Sequence, residues 1–255
     1  MRTVGNLVRA QWFRLLHGSS SGLFALTLVA VAGFVVVQFT AYWDDCGTFR
    51  AVLGRASVVE VYCVFVALYL AAFFAEDFQY GTVRNLMVGK GSRRAWALSA
   101  LVVTFGCALG AMLLGAVVTG VVYGLMGGAP VAFDIGELAA WWLVASLLAT
   151  AFSVVAVAVT VVVPWAPLTT AVVAATLLTS GLGYWFCQAA AVGLPAPLAS
   201  FVTEGVLPLT LTALRLSLLN GAPIEPWWFA DLALVLVASV IIIAAALNRK
   251  ELRQS

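Results

Sequence analysis

Charge, histidine and cysteine are all scarce in this chain of 255 residues, and each scarcity excludes a class of protein. Only 9% of the residues are charged, against about a quarter in an ordinary soluble domain, while 64% are hydrophobic. A soluble domain is therefore excluded. The composition predicts a protein that crosses a membrane several times.

Motifs for catalysis and metal binding are missing as well. One His and four Cys, without CxxC or HExxH spacing, cannot assemble a recognisable zinc site. The segment 18–22 has the spacing of a nucleophile elbow, but it lacks the strand, helix and partner residues that the elbow needs. We therefore assign no catalytic, cofactor-binding or metal-binding residue. Whether Cys46 and Cys187, both near the predicted outer face, form a disulfide depends on geometry that a sequence does not show.

Long apolar stretches are what the chain does have. A membrane span needs about 20 mainly apolar residues, and a helix satisfies its own backbone hydrogen bonds. We predict an all-α polytopic membrane protein in which residues 1–255 form one transmembrane domain. Its six predicted spans are 21–39, 58–75, 96–125, 138–163, 168–187 and 229–247.

The distribution of basic residues predicts the orientation of these spans. Positive charge close to the ends of spans is retained in the cytoplasm. With six spans, ten of the thirteen Lys and Arg residues share one face, and Arg50, Arg55 and Arg215 lie on the other. We therefore expect both termini on the cytoplasmic side of the membrane.

Two regions outside the spans are amphipathic or broken by proline. Residues 1–20 predict an interfacial helix, although a short basic tail is the simpler alternative. One half of this N-terminal helix would be apolar, through Leu7, Val8, Trp12, Leu15 and Leu16.

Residues 189–228 contain five prolines around an apolar piece that is too short to span, which predicts short re-entrant helices in the outer leaflet.

Hydroxyl side chains form stripes on two predicted spans. Such stripes have two interpretations, which stay open: helix packing, in which Ser and Thr bond to backbone, or a weakly polar path for an amphiphilic substrate. At 100° per residue each stripe occupies one helix face. The residues are Ser146, Thr150, Ser153 and Thr160 on the fourth span, and Thr169, Thr176 and Ser180 on the fifth.

One dense polar insertion, residues 76–95, separates the second and third spans. Glu76 and Asp77 stand at the carboxyl end of a helix, where the helix dipole disfavours negative charge, so a counter-charge is expected. Arg93 and Arg94 are the nearest in sequence, and an Arg of the N-terminal helix is equally suitable. Between these charges, Gly81 and Thr82 break and cap a helix, and an apolar ridge with Arg84 beside it follows at Val83, Leu86 and Met87.

A short exposed helix with an apolar ridge is typical of a segment that docks into a partner's groove, although a purely structural turn is the simpler alternative. The run Tyr80-Gly81-Thr82-Val83-Arg84-Asn85, followed by Gly91-Ser92-Arg93-Arg94, closely resembles the first cytoplasmic loop of ABC-2 type permeases, the membrane subunits of ABC transporters. The predicted order of spans and flanking helices resembles that family over essentially the whole chain.

The resemblance implies a protein of the bacterial cytoplasmic membrane in which this loop is a coupling helix. The coupling helix would contact a separate cytoplasmic ABC ATPase. It also implies two ATPase copies and a second permease chain, identical or related. ATP and Mg²⁺ would be bound by the ATPase, because this chain contains no Gly-x-x-x-x-Gly-Lys-Ser/Thr motif. Small members of the family resemble exporters of drugs or antimicrobial peptides. The alternative is an ATP-independent secondary carrier or a membrane scaffold; nucleic acid is not an expected partner.

Overall fold

The computed structural model describes residues 2–17, 32–34, 36, 47–79, 93–162, 188–189, 191–206 and 210–251. Within these ranges the backbone is almost entirely helical, and the only extended pairing is an isolated β-bridge between Thr48 and Ala132. The predicted all-α class is thus confirmed. In chain order the elements are α1 (Arg2–His17), α2 (Phe49–Arg55), α3 (Val58–Gln79), α4 (Arg93–Leu125), α5 (Ile135–Val162), α6 (Ala196–Ser200), a π-helical turn (Phe201–Val206), α7 (Leu211–Leu219) and α8 (Trp227–Glu251).

Four of these helices, α3, α4, α5 and α8, are long and apolar enough to cross a membrane. They coincide with the predicted spans 58–75, 96–125, 138–163 and 229–247 and run a few residues past most of the predicted ends. Such helices fit a membrane-embedded protein. The predicted spans 21–39 and 168–187 lie largely outside the described residues, so the count of six stays a prediction.

The core is centred on α5, which packs against α3, α4 and α8. Large side chains such as Leu70, Trp96, Trp141 and Leu148 are buried there almost completely. By contrast, α8 is mostly exposed, and its outer face is as apolar as its inner one. An exposed apolar face is stable in a bilayer because lipid tails are as apolar as leucine.

The N-terminal helix packs along α4 rather than lying apart from the bundle. Leu7 and Leu15 are buried, as the helical wheel predicts, whereas Leu16 is 59% exposed. Trp12 covers Gly106, where an added Cβ atom would lie 2.7 Å from the indole Cζ2. Gly106 is about 20 Å along α4 from Arg93 at 1.5 Å per residue. The apolar face of the predicted interfacial helix is therefore packed against protein.

Short helices pack where α3 begins. Thr48 caps α2 by accepting a hydrogen bond from the backbone N–H of Ala51, and Thr210 caps α7 in the same way at Ala213. The two helices approach closely, since a Cβ atom added at Gly54 would lie 2.5 Å from the carbonyl oxygen of Leu219. In the segment 189–228, the described short elements are α6, the π-helical turn and α7.

Candidate functional site

The charged residues of the bundle collect at its two ends. We call the end where α3 finishes the Asp77 end, and the opposite end, where α3 begins, the Glu60 end. The polar insertion begins at the Asp77 end, where α3 finishes, and the ridge predicted to bind a partner lies within it.

At the Asp77 end, Arg14 of α1 pairs with Asp77 of α3. The Arg14 Nη1 group donates a hydrogen bond to Asp77 Oδ1 across 63 positions of sequence. The side chain of Asp77 is completely buried, whereas that of Arg14 is 35% exposed. The Arg14 guanidinium also lies 5.1 Å from the centroid of the Phe73 ring, which adds a cation–π contact. The counter-charge of Asp77 thus comes from the N-terminal helix, the second of the two expected sources.

Aromatic contacts join the two helices that flank the polar insertion. The ring of Phe74, in the last turns of α3, meets Trp96, in the first turn of α4, edge to face with centroids 5.7 Å apart. The Ser99 hydroxyl donates a 2.8 Å hydrogen bond to the Trp96 carbonyl. Glu76 is partly exposed beside these contacts, and Arg94 is exposed at the start of α4. The insertion therefore begins and ends on one packed base.

The ridge and its caps lie outside the described residues. This applies to the predicted coupling residues Gly81, Thr82, Val83, Arg84, Leu86 and Met87, and to the side chain of Arg93. Their role in partner binding stays a prediction.

The hydroxyl stripe on α5 is buried in the core, and every member bonds to its own helix. The hydroxyls of Ser146 and Thr150 donate to the carbonyls four residues earlier, at 2.7 and 2.6 Å. Those of Ser153 and Thr160 donate to the carbonyls of Ala149 and Val157, both at 2.7 Å. The packing interpretation expects this bonding. The other stripe, Thr169, Thr176 and Ser180, lies outside the described residues, and a substrate path along either stripe stays a prediction.

At the Glu60 end, two arginines from short helices reach residues of the long ones. Arg50 of α2 donates from Nη1 to Glu137 of α5 at 3.0 Å and from Nη2 to the carbonyl of Ala222. Arg215 of α7 lies 3.8 Å from Glu60 of α3, measured from Nη2 to Oε1. Sequence reasoning missed both pairs. Glu60 and Arg215 stand out in the sequence as ionisable residues within apolar stretches, but nothing in the sequence indicates that they pair.

Metal chemistry has no support in the described ranges, where no three His, Cys, Asp or Glu side chains gather as a metal site would require. Cys63 and Cys107 are buried free thiols, as expected of small apolar residues. Cys46 and Cys187 fall outside the described residues.

In comparisons with known proteins, no protein-family model and no curated protein matches the chain.

Proposed function

We propose that this chain is the membrane-spanning permease subunit of an ABC transporter of the ABC-2 type. It exports a hydrophobic or amphipathic substrate, a drug or an antimicrobial peptide, using ATP hydrolysed by a separate cytoplasmic ATPase. The complex contains two ATPase copies and a second permease chain, identical or related, in the bacterial cytoplasmic membrane. The termini and the polar insertion face the cytoplasm.

The observation that supports this proposal most is the base of the insertion. Residues 80–92 connect two helices that are held together by the Phe74 and Trp96 rings, and α1 is fastened beside them through Arg14 and Asp77. A docking segment passes a movement of its partner on to the membrane helices only if the helices at its two ends are held rigidly. The packed aromatic rings and the ion pair of the buried Asp77 hold them. The motif within the insertion supplies the resemblance to a coupling helix.

The decisive experiment is to look for an ABC ATPase gene beside the gene of this chain and to co-express the two. We expect the two polypeptides to purify together, and we expect this chain to change the turnover of the ATPase. Neither association nor a changed turnover would favour the ATP-independent carrier or the scaffold instead.

A paired substitution tests the ridge itself. Leu86→Asp should abolish binding of the ATPase without altering membrane insertion, because a charge on the ridge cannot enter an apolar groove. Asn85→Asp adds the same charge beside the ridge and serves as the matched control. If Leu86→Asp bound the ATPase as well as Asn85→Asp and the unchanged chain do, the ridge would not be part of the interface.

A further inference from the structure

Arg215 is a buried arginine on a very short helix. Five of the nine residues of α7 are buried, and Arg215 is only 3% exposed. Its guanidinium carbon lies 5.9 Å from the centroid of the Phe152 ring on α5. The side chain therefore points into the bundle, where an aromatic face orients the guanidinium plane.

The hydrogen-bonding capacity of this guanidinium is not used up. The nearest carboxylate oxygen, Glu60 Oε1, is 3.8 Å from Nη2, which is too far for a hydrogen bond. The Nε–H group is buried and has no acceptor among the residues that the structure describes. A guanidinium has five N–H donors in a rigid fork and normally meets an oxyanion at two of them. Arg215 is thus oriented but has no hydrogen-bonded oxyanion partner in the described part of the chain.

The side chain of Glu60, in contrast, can turn away from Arg215. Its side chain is 46% exposed, against 4% for that of Arg215. A half-exposed carboxylate at 3.8 Å compensates the charge of the guanidinium without occupying its fork. An incoming oxyanion could therefore take the fork while Glu60 turns towards solvent.

The burial of Arg215 separates the site from an ordinary surface ion pair. Glu60 lies about 26 Å along α3 from Asp77, at 1.5 Å per residue. This distance is close to the thickness of the hydrocarbon layer, about 30 Å, so with Asp77 at one boundary the pair lies near the other. A buried guanidinium at such a boundary is costly unless an oxyanion pairs with it, and the headgroups of amphiphiles lie at the same level.

We propose that Arg215 recognises the oxyanion headgroup, carboxylate or phosphate, of a single-chain amphiphile, and that Glu60 holds the site as a displaceable counter-ion. Arg215 makes the bidentate contact, with its guanidinium held against the Phe152 ring. The inference rests on the proposed function only in identifying such an amphiphile as cargo.

Equilibrium binding to the full chain in phosphatidylcholine nanodiscs tests the site. The probe is radiolabelled oleoyl lysophosphatidic acid, with oleoyl lysophosphatidylcholine and inorganic phosphate as competitors. We expect saturable binding that lysophosphatidylcholine displaces much less well than unlabelled probe does, because its phosphate carries less negative charge and bears a choline cation. Arg215→Gln should weaken binding at least 10-fold, and Arg215→Lys should weaken it less because the charge remains while the fork is lost.

The variant of the partner residue gives the sharpest result. Glu60→Gln removes the competing charge, so we expect it to strengthen binding about 3-fold or more. Arg55→Gln, at the exposed end of α2, removes a nearby positive charge outside the site and should leave binding unchanged.

Three results would overturn the proposal. If Glu60→Gln weakened binding as much as Arg215→Gln, the pair would be a structural ion pair. If Arg55→Gln weakened binding equally, the attraction would be a general surface effect. If inorganic phosphate displaced the probe as well as unlabelled probe does, the site would recognise free oxyanion and not an amphiphile. Binding of the amphiphile is measured without the ATPase. A failure to bind the amphiphile therefore does not affect the ATPase test, and a failure of the ATPase test does not affect the proposed binding site.

Discussion

Two ion pairs at opposite ends of the bundle, Arg14–Asp77 and Arg215–Glu60, are of opposite construction. At the Asp77 end a completely buried acid is held by a partly exposed base, and the two share a hydrogen bond. At the Glu60 end a buried base faces a half-exposed acid, and the 3.8 Å between them leaves no hydrogen bond. The first pair fastens α1 to the base of the insertion, whereas the second leaves a charged side chain available. Burial of one partner alone therefore does not show whether a pair is structural, and the hydrogen bond makes the difference.

The largest expected effect comes from breaking the pair at the Asp77 end. Arg14→Gln leaves the buried carboxylate of Asp77 unpaired, which costs about 3 kcal/mol of unfolding free energy. Thermal unfolding in detergent measures this loss, and Arg9→Gln, on the exposed side of α1, is the matched control. The double variant Arg14→Gln with Asp77→Asn should recover most of the stability, because no buried charge remains. If Arg14→Gln unfolded at the same temperature as the unchanged chain, the pair would not stabilise the packing of α1.

Packing of the short helices at the Glu60 end should have the next largest effect. Gly54→Ala places a Cβ atom against the backbone carbonyl of Leu219, so we expect a loss of about 2 kcal/mol. Gly110→Ala in α4 is the control, because an added Cβ atom there meets no atom within 4 Å. That change should stabilise the chain by up to about 1 kcal/mol through helix propensity. Equal unfolding temperatures for the two variants would mean that α2 and α7 are not in close contact.

Neutralising the acid at the Glu60 end should cost less stability than either change. Glu60→Gln leaves the buried Arg215 charge without its half-exposed counter-ion but breaks no hydrogen bond, so we expect a loss of about 1 to 2 kcal/mol. The same thermal unfolding measurement applies. A loss as large as that of Arg14→Gln would show that the two ends are built alike.

The smallest effect is expected midway between the ends, on the hydroxyl stripe. Thr150→Val and Ser153→Ala each remove one hydrogen bond within α5, so each should change stability by less than about 1 kcal/mol. If the stripe only packs helices, substrate export in the reconstituted complex should persist. Loss of export at unchanged stability would favour the substrate path.

Properties that depend on local composition could be predicted from the sequence. Apolar length alone located α3, α4, α5 and α8, because a span must satisfy its own backbone and face lipid. Periodicity located the buried side of α1 through Leu7 and Leu15. It did not predict Gln11, which is only 2% exposed at the centre of that side, with no hydrogen-bond partner for its amide among the described residues.

Pairings across long stretches of chain could not be predicted. Arg14, Arg93 and Arg94 were all suitable partners for Asp77, and only the packing of α1 on α4 brings Arg14 to it. Likewise, α7 was identified as a piece too short to span. That its single charge reaches Glu60 depends on how α7 packs against α3 and α5. Tertiary contact, which no local pattern encodes, decides both pairs.

The bridge between Thr48 and Ala132 has a mechanical consequence. The N–H of Phe49 donates to the carbonyl of Ala132, and the N–H of Ala132 donates to the carbonyl of Gly47, both at 3.1 Å. These two hydrogen bonds connect the start of α2 to the segment between α4 and α5, so a force on one of these segments is passed to the other. An outward movement at this end that preserves these two bonds must therefore carry α2 together with the connection between α4 and α5.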